Sequence, residues 1–154
     1  MTDQVLVFTL DDLSYALPLK KVEKVIHAVE IRPLPNAPGI IAGIINIKGQ
    51  IIPVADIRRR FNLPACELNL SDRLIITASG KRQVAILVDK VDGIRDLAHE
   101  YLLVANDSSV YPENITGVMK TDEGTILIYN LDRFLSMDDE GKLEEALKKS
   151  IDVS

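Results

Sequence analysis

The chain carries the same succession of apolar segments twice, and this internal repeat restricts its possible folds more than any other feature. An Ile-x-Gly start, a strand pattern, a turn with glycine and a second strand pattern occur both in IAGIINIKGQIIPVADIRRRF and in ITGVMKTDEGTILIYNLDRFL. Ile41 thus corresponds to Ile115 and Gly43 to Gly117, both at an offset of 74 residues. One agreement of this kind carries little weight, because apolar strands resemble one another.

Two upstream segments extend the repeat and make duplication the better explanation. LVFT at 6–9 matches LIIT at 74–77 at an offset of 68, and LKKVEKV at 19–25 matches VDKVDGI at 88–94 at an offset of 69. Four segments therefore recur in one order. A unit of about 60 to 70 residues buries too little surface to be comfortably stable alone, so we expect the two units to pack against each other.

Most of the repeated segments have the composition of β-strands. Aromatic residues make up only 5% of the chain and Trp is absent, so Val, Ile, Leu and Ala must build the interior, and the β-branched types favour strands. Pro53 lacks a backbone N–H, which confines its strand to a sheet edge or a bulge at that point. Strands are predicted at 4–10, 13–19, 40–47, 50–57, 73–78, 83–91, 115–120 and 125–131.

Two segments predict helices. LKKVEKVIHAVEI at 19–31 has apolar residues at helical spacing, which indicates a short amphipathic helix, with an apolar face formed by Leu19, Val22, Val25, Ile26 and Val29. The tail at 136–151 begins with a capping-box pattern and continues with one apolar stripe, Leu143, Leu147 and Ile151. RPLPNAPG at 32–39 holds three prolines and predicts an irregular connection.

Several single residues are explained by local structure. Gly43 and Gly117 are expected where backbones approach closely or a strand bends, and Asp56 and Asn130 are expected to cap helical turns. The basic run at 58–60 is followed by one aromatic residue and lacks aromatic residues in the adjacent strands. It therefore favours a solvated turn or a protein contact over a nucleic-acid groove.

Charge and titratable residues argue against several classes of function. A net charge of −5 and a pI near 5.0 disfavour non-specific binding of nucleic acid or anionic lipid. The sequence has neither a signal-peptide pattern nor an apolar run long enough to cross a membrane, so we expect a cytoplasmic protein without direct membrane insertion. His27, His99 and Cys66 lack partners at ligand spacing, so no catalytic site, metal or cofactor is predicted.

The remaining candidate surface is the apolar face at Val22, Val25, Ile26 and Val29. This face is explained equally well as part of the core and as a groove that binds another helix. A barrel that binds a small ligand or single-stranded nucleic acid is the alternative from another class, and it requires a basic groove lined by aromatic residues.

Three stretches resemble the CheW-like domain family, and specifically its stand-alone chemotaxis coupling proteins: LVFTLDDLSYALPLKKVEKVI, PNAPGIIAGIINIKGQIIPVADIRRRF and VAILVDKVDGI. The resemblance implies a mainly β fold of two SH3-like, five-stranded β-barrels around a shared hydrophobic core, with short helices and a C-terminal helix at 136–151. It places one domain over 1–154, with barrels at approximately 14–70 and 71–135, and leaves open whether the N-terminal strand is exchanged between them.

The same resemblance implies a non-enzymatic adaptor. It would join the cytoplasmic tips of methyl-accepting chemoreceptors to the regulatory domain of the histidine kinase CheA, or serve a non-flagellar pathway such as pili. The implied kinase contacts are Gly43, Asn46, Lys48 and Ile51, and the implied receptor contacts are Val22, Lys24, Val25, Ile26, Val88 and Ile94.

Two lysines depart from the family pattern. Lys48 stands where the family usually has Arg, and Lys24 where an acidic residue is common. Lysine cannot reproduce a bidentate guanidinium contact, so we expect these two positions to influence partner choice.

Overall fold

The computed structural model describes residues 4–59, 71–79, 82–96, 101–103, 115–121, 124–129 and 137–152. Within these ranges the chain is mainly strand, as predicted, and ends in the expected helix. Short 3-10 turns lie at Leu19–Lys21 and Ile57–Arg59. The strands and helix are β1 (Gln4–Leu10), β2 (Leu13–Pro18), β3 (Val22–His27), β4 (Ile41–Ile47), β5 (Gln50–Ala55), β6 (Arg73–Ser79), β7 (Arg82–Val88), β8 (Lys90–Asp96), β9 (Tyr101–Leu103), β10 (Ile115–Thr121), β11 (Gly124–Tyr129) and α1 (Met137–Asp152).

The described strands form two sheets whose strand orders match the repeat. One sheet has the order β3-β6-β7-β5-β4, and the other has the order β8-β1-β2-β11-β10-β9. Apart from the short β9, each strand of one sheet occupies the place of its repeat equivalent in the other. The two barrels of the expected fold are therefore built to one plan.

Each sheet takes its strands from both repeats. The β1–β2 hairpin of the first repeat pairs with β8 and β11 of the second. The β6–β7 hairpin of the second repeat pairs with β3 and β5 of the first. The pairing thus crosses the expected division into 14–70 and 71–135, and those bounds stay a prediction.

Strand register confirms one repeat offset and corrects another. Gly43 lies opposite Val54 in β4–β5, and Gly117 lies opposite Ile128 in β10–β11, which confirms the offset of 74. In the first hairpins, however, the pair Val7–Ala16 corresponds to Ile76–Ala85, which requires an offset of 69. The predicted offset of 68 is wrong, since a shift of one residue would exchange the two faces of the strand.

The helix predicted over 19–31 is absent. Its place is taken by a 3-10 turn and strand β3, which pairs with β6 and has a bulge at Glu23.

The strand predicted at 83–91 is divided into two, because the chain passes from β7 in one sheet to β8 in the other at Asp89. Pro53 lies where the prediction allows, since the pairing of β5 with β7 begins only at Val54.

Three apolar clusters hold this arrangement together. One cluster is formed by side chains of the five-stranded sheet alone: Ile45, Ile52, Val54, Leu74, Ile76 and Ala85. A second, equivalent cluster is formed by side chains of the other sheet alone: Val5, Val7, Ala16, Met119, Ile126 and Ile128. The third, which we call the shared core, contains residues of both sheets and of α1, including Phe8, Leu17, Ile75, Ile86, Tyr129 and Leu143.

An ion pair joins the two sheets beside the shared core. Arg58, whose side chain is only 5% exposed, donates to the carboxylate of Asp89 at the crossing from β7 to β8. The same carboxylate accepts from the backbone N–H of Asp11, at 2.8 Å, in the β1–β2 turn. Burial raises the pKa of the neighbouring Tyr15, the Asp11 carboxylate raises it further and the Arg58 guanidinium opposes both.

The basic run was predicted to be a solvated turn or a protein contact, and this is wrong for its first residue, because Arg58 is buried and pairs with Asp89 of the same chain. Asp56 confirms its predicted role, since its Oδ1 accepts from the backbone N–H of Arg58 at 3.1 Å and begins the 3-10 turn. Arg60, Cys66, His99 and Asn130, which also carried predictions, lie outside the described residues.

Candidate functional site

The end of the β4–β5 hairpin brings together three of the four predicted kinase-contact residues. Lys48 and Gly49 have φ values of 51° and 87°, and positive φ at both central residues is typical of a type I′ turn. Asn46 supports the turn, because its Oδ1 accepts from the backbone N–H of Gly49 at 2.9 Å. Ile51, directly opposite Asn46, is 40% exposed. We call Asn46, Lys48 and Ile51 the hairpin patch.

Gly43, the fourth predicted contact, lies inside the protein. A Cβ at this position would overlap the backbone carbonyl of Arg32 and would come within 2.8 Å of Ile31 Cγ2. The reason is a bridge next to it, in which the backbone groups of Arg32 and Ile44 exchange hydrogen bonds of 2.9 and 2.8 Å. The predicted close approach of two backbones at Gly43 is confirmed, and its buried position offers no side chain to a partner.

The predicted receptor contacts divide between two faces of β3. Val22 and Val25 lie opposite Thr77 and Ile75, on the face directed toward the shared core. Val22 packs against that core, and Val25 is 37% exposed. Val22 and Val25 therefore form a partly exposed apolar edge beside the shared core.

Strand β8 presents the equivalent edge in the other sheet. Val91 packs against the shared core like Val22, and Ile94 is 55% exposed and lies opposite Leu6, which belongs to that core. Sequence reasoning missed Val91, although the offset of 69 links it to Val22. We call Val22, Val25, Val91 and Ile94 the inter-barrel surface.

The other predicted receptor contacts lie elsewhere. Lys24 and Ile26 lie opposite Ile76 and Leu74, on the other face of β3. Ile26 packs against the core cluster of the five-stranded sheet, whereas Lys24 is exposed. Val88 has 0% exposure and packs in the shared core. The Val88 side chain is therefore not on the surface of this structure, and a receptor contact at Val88 stays a prediction.

The described residues form neither a metal-binding group nor a membrane-spanning helix. Within them, no group of three or more His, Cys, Asp or Glu side chains is arranged to hold a metal ion. Nor does any described helix combine the length and apolar character needed to cross a membrane.

Comparison with known proteins agrees with this architecture. The family model for the CheW-like domain matches residues 4–139. Chemotaxis protein CheW of Thermotoga maritima is 27% identical over 86% of this chain and 87% of its own length, and that of Klebsiella aerogenes is 25% identical over 94% and 89%. The crystal structure of scaffolding protein TtCheW from Thermoanaerobacter tengcongensis superposes with a TM-score of 0.80 at 27% identity, covering 90% of this chain and 96% of that one.

Proposed function

Since the chain belongs to the CheW-like domain family, we propose that it is a non-enzymatic scaffold that couples chemoreceptor tips to the regulatory domain of the histidine kinase CheA. A relative that matches most of the chain in sequence is named for chemotaxis, and a structural neighbour that covers 90% of it is named for scaffolding. In this role a cytoplasmic protein would be recruited to receptor arrays at the membrane. Binding alone performs the function, so no cofactor is needed.

The inter-barrel surface carries the proposal for the receptor. Val25 and Ile94 are repeat equivalents, both are exposed, and both follow a valine that packs against the shared core. Receptor tips that present an amphipathic helix could place aliphatic side chains against such a surface, which is how helix-in-groove recognition operates. Burial of apolar area would supply the affinity, at about 25 cal/mol per Å² before the costs of association.

The hairpin patch carries the proposal for the kinase. Ile51 supplies an exposed apolar contact, and Asn46 is already held by the turn, so both would bind with little loss of conformational freedom. Lys48 adds a compact positive charge at the turn. The hairpin patch and the inter-barrel surface share no residue, so one partner can be tested without altering the contacts of the other.

The decisive experiment measures binding of a receptor cytoplasmic fragment and of a CheA regulatory domain to surface variants. Val25→Arg is expected to weaken receptor binding about tenfold or more, because it places a charge on an apolar contact, and to leave kinase binding unchanged. Ile51→Arg is expected to do the reverse. Leu13→Arg is the matched control, since Leu13 is an aliphatic side chain with 48% exposure outside both surfaces.

Titration calorimetry with both partners, together with melting temperatures of all variants, decides the question. The proposal fails if the unaltered protein binds neither partner. The assignment of the two surfaces fails if Val25→Arg and Ile51→Arg match Leu13→Arg with both partners.

A further inference from the structure

An open depression of about 480 Å³ lies next to Ile51, between the β4–β5 hairpin, the end of β6, the start of β7 and the C-terminal helix. Its apolar wall is formed by Ile51, Pro53, Ala78 and Leu147. Leu147 comes from α1, which is anchored to the shared core by the buried Leu143 and Ala146. The depression thus extends from the hairpin patch to α1. The sequence analysis assigned no partner contact to this helix.

Two side chains of β7 that line the depression carry unsatisfied polar atoms. The Nε of Arg82 is buried and has no hydrogen-bond partner within the described part of the chain. The amide of the adjacent Gln83 donates to Glu23 at 2.5 Å, while its buried Oε1 has no donor. Unsatisfied buried polar groups in a native structure call for an explanation, and an absent partner is one.

The charges around the depression restrict the kind of partner that fits. The whole chain has a net charge of −5. Among the described residues, however, no carboxylate lines the depression, and Arg82 is the one charged residue in that described lining. Lys48 adds a second cation on the same hairpin as Ile51. A guanidinium beside an apolar wall suits a carboxylate that is followed or preceded by an aliphatic side chain.

We propose that this depression is an extension of the kinase contact, in which Arg82 pairs with an acidic side chain of the CheA regulatory domain while an adjacent aliphatic side chain packs on Ile51 and Leu147. The inference rests on the proposed scaffold function and adds a specificity-determining residue to it. Arg82 selects an acidic contact segment, and α1 forms part of the binding surface.

Titration calorimetry of the whole protein with the kinase regulatory domain, at low and high NaCl, tests the inference. Arg82→Glu is expected to weaken binding by tenfold or more, because an attractive charge pair becomes a like-charge contact. Arg82→Gln is expected to weaken binding less and to reduce its salt dependence, since exposed charge pairs are screened by salt. Lys120→Glu on β10 is the matched control, with the same change in net charge at an exposed position of the other sheet.

The outcomes separate this inference from the function on which it rests. The inference is supported if Arg82→Glu weakens binding while Lys120→Glu does not, with both melting temperatures unchanged. If Ile51→Arg prevents binding but Arg82→Glu binds like Lys120→Glu, the depression is overturned as a contact and the scaffold function stands. Absence of binding by the unaltered protein overturns both.

Discussion

At the scale of single residues, Gly43 was expected on a binding surface but is required, as a glycine, in the interior of the fold. Gly43 was expected at a kinase contact, yet its missing side chain makes room for the backbone of Arg32 and the side chain of Ile31. An Asp at this position would disturb the fold before it could disturb a partner. Loss of binding in such a variant would therefore say little about the interface.

Gly43→Ala is expected to lower the free energy of unfolding by about 3 kcal/mol, since a methyl group would push the 31–32 segment away and weaken its two hydrogen bonds to Ile44. Chemical denaturation with unchanged m-value measures this loss. Gly39→Ala is the control, because a Cβ there meets nothing within 4 Å. Equal midpoints for the two variants would contradict the explanation.

At the scale of elements, the bulge in β3 explains why the sequence suggested a helix. In a regular strand, residues three apart point to opposite faces. The extra residue Glu23 brings Val22 and Val25 onto one face, so a strand acquires the spacing typical of a helix. Asp92 is the equivalent bulge residue between Val91 and Ile94. Comparison of the two repeats could have revealed the strand, because Gly93 makes the second copy a poor helix.

Other parts of the site were predictable to different degrees. The β4–β5 hairpin followed from two strand patterns around Lys48-Gly49, a turn that needs positive φ. The buried state of Val88 did not follow, because apolar residues of core and surface look alike in a sequence. The offset of 69, which the sequence comparison already contained, pairs Val88 with Leu19, and both pack in or against the shared core. The repeat thus related the two positions, but their burial became evident only in the folded sheets.

The ion pair between Arg58 and Asp89 leads to a prediction about the link between elements. Asp89→Ala is expected to cost about 2–3 kcal/mol, because it leaves the buried Arg58 guanidinium without this carboxylate. Arg58→Met should cost less, since Asp89 is 38% exposed and remains hydrated.

A double-mutant cycle followed by thermal and chemical denaturation checks this order. The double variant Arg58→Met, Asp89→Ala is expected to be more stable than Asp89→Ala alone, because the buried charge is removed. Additive losses would show that the pair does not join the hairpin turn to the crossing as described.

At the scale of the whole molecule, exchange of hairpins makes the two barrels one folding unit. The sheet that contains β3, β4 and β5 is completed by β6 and β7, whose residues follow position 70. The shared core likewise draws on both sheets and on α1. Neither half of the sequence holds a complete sheet, although each carries a complete repeat.

Fragments 1–70 and 71–154 are therefore expected to be unfolded when separate and to regain strand structure when mixed, because each supplies the hairpin that the other lacks. Far-ultraviolet circular dichroism of the fragments and of their equimolar mixture measures this. A fragment that unfolds cooperatively by itself would contradict the expectation.

The bridge between Arg32 and Ile44 affects how the protein behaves when many copies are concentrated in one place. Where identical molecules are concentrated, the unpaired backbone groups of an edge strand can pair with another copy and start fibril growth. The outer edge of β4 is blocked at its midpoint, since the backbone N–H and C=O of Ile44 are already hydrogen-bonded to Arg32. A neighbouring copy cannot extend the sheet there without first dislodging the molecule's own chain, which favours solubility during crowding.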